Sequence, residues 1–548
     1  MMTQIKRIYF LGGCFLMASL HSWAQTRPDT VIKNTTIQIH QTYKPEIKKV
    51  EKPVLSPALP GKDLAPLPQL EYTSKDIQPN YYYPSQPIKP IALGGDTTEK
   101  TYYKNFLSLA AGNLNTLNFE AGIGQFKGRN YHTGIYLHHL SQDGQIANQK
   151  HARSGLELTG TLIKPTKIWT ADFEFLRQRF HRYGYNHDSL EYESADVRHT
   201  YFGYNLGLGM TNTGGDAQDL RYGISALGSN WQKVEGSGAH ENTIHSKGFI
   251  AKRLDDDFDL RVGVDWNITK FSQPNGGSNN VLQLQPSVTY TPNDFSFKLG
   301  LYPTWGRAGN AYILPDVQLD YRPEDNNFRM GIGATSALLT NNFRTLSQYN
   351  PFINDTFQIR QSRVDQYYLR LGTNLSSNLH LHGEVAYKHF NNMVYFQNDS
   401  TEIETFQVKY TDPVNALGIK LGASFQFGER FVLDAESEWF VVLKSTFKHI
   451  PHQPGVTLRV KGDYNITSEL HLGATLDVMD NIYFFNTATQ TYDKTRGVFD
   501  IGTYVEYTLA KRLDIFIHLQ NLTNRVNERW NAYPSYGFNV FGGVRLKF

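Results

Sequence analysis

Along most of this chain apolar and polar residues alternate one for one. Phe258, Leu260, Val262, Val264, Trp266 and Ile268 interleave with Asp259, Arg261, Gly263, Asp265, Asn267 and Thr269. Leu513, Ile515, Ile517 and Leu519 do the same with Asp514, Phe516, His518 and Gln520. Leu379, Leu381, Val385 and Tyr387 stand opposite His380, His382, Glu384 and Lys388. Successive side chains of a strand point to opposite faces, so each segment reads as a strand with one apolar and one polar face. The texture begins near Tyr102 and holds to the final residues, GFNVFGGVRLKF.

The breaks between these segments set the strand number. Tight turns fall at Lys164–Lys167, Leu254–Asp257, Pro292–Asp294, Arg322–Asn327, Ser376–Asn378, Gly428–Glu429 and Ala510–Arg512. Looser ones fall at Gly124–Arg129, Thr213–Gln218 and Thr467–Glu469. Between consecutive turns there is room for a strand, a longer loop and a returning strand. Ten turns of one kind predict eleven hairpins, hence an all-β fold of about 22 antiparallel strands, within a range of about 18 to 24. An open sheet of that size would carry long unpaired edges, and closure into a barrel removes them.

The N-terminal hundred residues differ. Lys6 and Arg7, the apolar run Ile8–Leu20 and the small-residue pattern Ser22-Trp23-Ala24 make residues 1–24 a signal peptide cleaved between Ala24 and Gln25. An uncleaved anchor, or lipoprotein processing at Cys14, are the alternatives. Residues 25–100 hold 11 of the 23 prolines, which forbids helix and central strand and leaves a Pro-rich, mostly irregular segment. Only Thr35–Gln41 alternates like a short strand. Residues 101–548 are the barrel.

Composition narrows the class. No later run approaches the about 18 apolar residues of a spanning helix. The net charge of +3 gives no basis for nucleic-acid binding. The single cysteine, Cys14, lies in the leader, so the mature chain has no thiol chemistry. Neither GxSxG nor HExxH occurs, and no cofactor motif is present, so an enzyme is not expected. His380, His382 and Glu384 share one face but sit at a strand spacing of about 6–7 Å, which favours ordinary polarity over a metal site. His138 and His139 point to opposite faces. Asp255–Asp257 reads as a solvated turn.

Export, alternating short and long connections and the absence of a spanning helix match a transmembrane barrel in the outer membrane of a Gram-negative bacterium. Its apolar face would meet lipid and its polar face, including Asp434, Glu436 and Glu438, would line a lumen. Trp169, Trp266, Trp305 and Trp439 read as interfacial belts rather than a sugar-stacking platform. Val540, Val544 and Leu546 would face lipid, and Arg545 and Lys547 the lumen. The final strand resembles the C-terminal signal read by the barrel-assembly machinery, carried here by Val544, Leu546 and Phe548.

Asn521-Leu522-Thr523-Asn524 before the last loop and strand resembles the close of a TonB-dependent receptor barrel. Ile37-Gln38-Ile39, Tyr43-Lys44-Pro45-Glu46-Ile47 and Pro87-Ile88-Lys89-Pro90 are similar to a group of Bacteroidota outer-membrane proteins of that receptor-like kind. The resemblance implies solute transport, receptor-like or porin-like, with TonB or another periplasmic protein as a partner through residues 25–100. It also implies a plug domain, for which about 75 Pro-rich residues are too few; part of that segment could instead occupy the lumen or its periplasmic mouth. Asp29-Thr30-Val31-Ile32-Lys33 is a candidate TonB box, with plain linker as the alternative. A non-transporting barrel that scaffolds envelope partners is the second function left open. Phe548→Gln is expected to impair insertion, seen as loss of the heat-modifiable band in isolated outer membranes.

Overall fold

The computed structural model describes residues 105–124, 130–213, 220–236, 238–273, 276–324 and 327–548. The expected signal peptide, the segment 25–100, the strand expected at Thr35–Gln41 and the candidate TonB box lie outside them. Twenty-two antiparallel strands form one closed barrel. The first is Asn105–Gly112 and the last Asn539–Lys547, and these two pair with each other. A two-residue piece, Gly277–Ser278, adds to the sheet beside Phe258–Ser272.

All ten turns read from the sequence fall between strands, at the barrel end where both the first strand begins and the last one stops. The longer connections, up to 22 residues at 340–361 and 392–413, gather at the opposite end, called here the loop end. Alternation is what lets this ring close around water. In Phe258–Ser272 the exposed large apolar residues are Phe258, Leu260, Val262, Val264 and Trp266, while Phe271 is turned inward and buried. Ile224, Ile250, Leu208 and Leu299 on other strands are all more than half exposed on the same outer surface. A continuous apolar surface of this extent would be unstable in water, where monomers rarely expose patches above a few hundred Å². In hydrocarbon it carries no cost, provided that every backbone group is paired.

The aromatic girdles follow from the register. Trp266 and Trp305 both lie beside Leu282, so they occupy one level of the outer surface toward the loop end. Trp169, nearly half exposed, lies toward the other end as the third residue of Lys167–His181. None of these three faces the lumen, which leaves the belt reading in place of the sugar platform.

The closing seam shows why the terminal sequence is rich in glycine. Leu109 lies opposite Val544 and Ala110 opposite Gly543. A Cβ at Gly543 would sit 2.2 Å from the Leu109 carbonyl oxygen and 2.6 Å from Ala110 Cβ. Phe516, whose strand flanks the last one, packs with Ala110 and Phe541 on the inner side. The Arg545 guanidinium lies 5.3 Å above the Phe516 ring and 2.9 Å from Glu506. Asn113 fastens the loop-end edge of the seam: its side chain donates to the Phe538 carbonyl at 2.9 Å and accepts from the Val540 N–H at 2.8 Å. Val544 and Leu546 are about half exposed outward, whereas Lys547 reaches in to Asp514. Gly543→Val should therefore destabilise closure by about 1–3 kcal/mol through overpacking, lowering the temperature at which the folded gel band converts to the unfolded one.

Candidate functional site

The loop-end mouth is filled by the loops themselves. Three inward aromatic residues, Tyr201, Trp231 and Phe271, stand near the loop ends of their strands and are buried. Tyr201 and Trp231 stack with centroids 6.0 Å apart. The seven-residue helix Phe343–Tyr349, which the sequence pattern did not reveal, lies on this floor. Phe343 meets Phe271 at 4.9 Å between centroids, and the Trp231 indole donates to the Ser347 hydroxyl at 2.9 Å. Asn342 makes no side-chain cap; instead Glu241 accepts the N–H groups of Phe343 and Arg344 at 2.6 and 3.4 Å, satisfying donors the first turn leaves open. Arg344 reaches from the helix toward the barrel wall, 3.2 Å from Glu174 and 3.2 Å from the Ser229 hydroxyl, and also bonds Asn205.

Beyond the helix the same loop turns through Phe352 and Ile353 into a core shared with three other loops. Phe352 stacks on Tyr533 at 3.6 Å, and Tyr183 packs edge-on against both. Phe406 and Phe396, on the hairpin formed by Met393–Asn398 and Phe406–Thr411, meet Trp530 at 5.5 and 5.3 Å. The polar ends are spent on backbone groups: the Tyr183 and Tyr201 hydroxyls donate to the carbonyls of Pro534 and Pro351, each at 2.9 Å. Burial pushes the Tyr183 hydroxyl up to about 12, so it stays a donor. Ion pairs tie the assembly to the rim, with Lys233 3.3 Å from Asp355 and Arg182 3.5 Å from Glu402. The result is a lid with an apolar core.

His452 is the lid's buried titratable centre, 2% exposed. Its Nδ1 lies 2.9 Å from the Phe396 carbonyl oxygen and its Nε2 3.4 Å from the Asn531 N–H. The neutral ring with hydrogen on Nδ1 satisfies both contacts; a second proton would face a donor. Phe406 packs edge-on at 5.1 Å, and the one nearby charge, Arg529, donates to the His452 carbonyl at 2.7 Å. Burial holds this imidazole down at about 4, and Arg529 adds to the shift.

Below the lid the wall carries charges of both signs. Arg370 lies 3.8 Å from Glu384, Lys420 3.7 Å from Glu438, and Arg459 2.8 Å from Asp477, around a cavity of about 540 Å³. Elsewhere Lys298 and the Tyr302 hydroxyl both bond Asp316 at 2.6 Å, and His245 and Lys247 share Asp265. Partly wet pairs of this kind are worth only about 0–1 kcal/mol each. They keep a broad lumen polar and solvated without giving it one sign.

The sequence-predicted residues fall into this frame. His380, His382 and Glu384 share the inner wall, but His380 bonds Asn374 at 2.7 Å and Glu384 is held by Arg370 and Gln366. No group of three metal-ligating side chains occurs among the described residues. Glu436 and Glu438 line that same cavity. The lid was missed because its residues lie in segments with no periodicity. The available signal was composition: 340–361 alone carries Phe343, Tyr349, Phe352 and Phe357, more aromatic surface than a solvated loop needs.

The sequence matches no protein-family model and no curated protein sequence. Solved structures do match. The FrpB iron transporter from Neisseria meningitidis superposes with a TM-score of 0.63 at 11% identity, covering 81% of each chain. This chain has the barrel fold of such receptors. The ferric enterobactin receptor PfeA from Pseudomonas aeruginosa gives 0.61 at 12% identity, and the siderophore receptor PirA from Acinetobacter baumannii 0.63 at 10%; each covers 81% of this chain and 80% of its own. The neighbours are transporters and receptors rather than enzymes.

Two outcomes follow for the lid. Tyr533→Ala should cost the lid about 3–5 kcal/mol, raising amide exchange across 521–538 and 392–413 while the barrel strands stay protected. Because the folded lid holds His452 below its ordinary 6.5, the opened lid binds the proton more tightly. Lid stability is therefore full above about pH 6.5, falls as pH drops toward 4, and levels off below that. Exchange corrected for intrinsic rate should show this fall in the native protein and a smaller one in His452→Gln.

Proposed function

We propose that this protein is a transport barrel of the outer membrane, receptor-like in build, whose folded-in loops gate solute entry. The observation that carries the reading is the pairing of an apolar-cored lid at one mouth with a wide lumen beneath it that is lined by charges of both signs. A barrel that only scaffolds other proteins needs neither a wet interior nor a sealed entrance. In this reading the loop end faces the exterior, the ten short turns face the periplasm, and the outer surface contacts lipid. The TonB-dependent receptor-like group is the fitting class, supported by the fold shared with iron and siderophore receptors.

The remaining assignments extend the same proposal. Residues 1–24 direct export, with cleavage between Ala24 and Gln25, and Val544, Leu546 and Phe548 present the chain to the barrel-assembly machinery. Residues 25–100 act from the periplasmic side, either recruiting a partner such as TonB through Asp29–Lys33 or obstructing the lower mouth. Single-channel recording separates the possibilities. The intact protein is expected to be closed, and removal of residues 393–411 to produce stable open steps. Persistent closure after that deletion would sink the gating reading, and opening only after removal of residues 25–100 would move the gate to the N-terminal segment.

A further inference from the structure

The lid carries a cavity of about 470 Å³ between the extended stretch 354–360 and the hairpin strand Phe406–Thr411. It lies within the size range of small-molecule sites. The two walls are pinned from behind. Phe357 and Ile359 insert into the lid core, so Gln358 and Arg360 are turned out and exposed. On the facing hairpin Phe406 and Val408 are buried in that core, while Gln407 and Lys409 alternate with them.

The charge of this cavity sets it apart. The lumen cavity places Arg370, Lys420 and Arg459 against Glu384, Glu436, Glu438 and Asp477. The rim cavity, of about 300 Å³, places Arg182, Arg198 and Lys233 against Asp196, Glu235, Asp355 and Glu402. The cavity at 354–360 is lined by Arg360 and Lys409 and by no carboxylate. Neither cation has an ion-pair partner among the described residues. Lys409 donates to the Gln397 amide oxygen at 3.1 Å, and the Arg360 guanidinium rests 5.8 Å from the Tyr410 ring centre. Neither Asp399 nor Asp412, at the two ends of the hairpin, lines the cavity, and Asp399 is already occupied by Gln407 at 2.5 Å and by Thr401.

We propose that this cavity recognises a small aromatic anion, a phosphate or carboxylate attached to a flat ring. Arg360 and Lys409 would take the anionic oxygens, Gln358 the remaining polar atoms, and Tyr395 and Tyr410 the ring. Two cations that line one cavity without a carboxylate are unfavourable until an anion arrives, and a guanidinium already lying near a tyrosine offers a stacking face as well as a fork of donors. The proposal deepens the transport reading, since it places ligand capture on the outer face of the gate and rests on that orientation.

Phenyl phosphate is the probe, titrated by calorimetry into the purified full-length protein in detergent micelles, with inorganic phosphate and phenol alongside. Phenyl phosphate should bind more tightly than inorganic phosphate, and phenol not measurably. Losing one charge-assisted contact in R360Q or K409Q should weaken phenyl phosphate about ten- to hundredfold, with heat-modifiability unchanged because both side chains lie at the surface of the lid. Unchanged binding in the R360Q/K409Q double variant, no binding by the native protein, or phenol matching phenyl phosphate would overturn the site. Equal affinity for phosphate and phenyl phosphate would overturn its aromatic part. Binding without any lid-dependent conductance would sink the transport reading and leave the site standing; conductance without binding would do the reverse.

Discussion

Hydrocarbon offers no partner to a bare N–H or C=O, and that constraint governs this molecule. Each of its 22 strands must be paired on both sides, so Asn105–Gly112 has to find Asn539–Lys547 across the whole length of the barrel sequence. Small residues at the junction, Ala110 against Gly543, let the two backbones and the Phe516 ring come together on the inner side. Once the ring is closed, the alternation of side chains sends every second residue outward and the rest inward. The apolar exterior and the ionic interior are two outcomes of one periodicity.

A ring of this circumference cannot fill its own interior with strand side chains. The wall therefore stays wet, with carboxylates and cations answering each other across neighbouring strands, as Arg459 answers Asp477 and Arg545 answers Glu506. Such pairs add little to stability, and their place on the wall is explained better by solvation. The mouth is treated differently. There the inward positions become Tyr201, Trp231 and Phe271, and the loops fold over them to build a second, dry core. Polarity thus changes along the barrel axis, wet in the body and apolar at one end.

The barrel was legible in the sequence because period-two alternation reports faces directly, and because proline, asparagine, aspartate and glycine mark turns by their own conformational preferences. Phe258–Ser272 and Leu513–Gln520 could be read residue by residue, and all ten short turns fell where those residues placed them. The lid was not legible. Phe352, Phe406, Trp530 and Tyr533 are brought together by tertiary packing between loops that no local rule connects. The Phe343–Tyr349 helix is too short to show a period, and its first-turn donors are met by Glu241, about a hundred residues upstream. Arg360 and Lys409 were invisible for the same reason, since their lack of carboxylate neighbours is a property of the folded loops.

The tyrosines of the lid carry an implication for the order of assembly. Tyr183 bonds the carbonyl of Pro534, 351 positions along the chain, and Tyr533 bonds that of Glu404, 129 positions back. The segment bearing Tyr533 directly precedes the final strand. A nascent barrel that still lacks its last hairpin has strands enough to begin a wall but no centrepiece for the cap. Sealing of the entrance is thus coupled to completion of the circle, and under the proposed transport role an unfinished molecule left in the bilayer would be a leak rather than a gate.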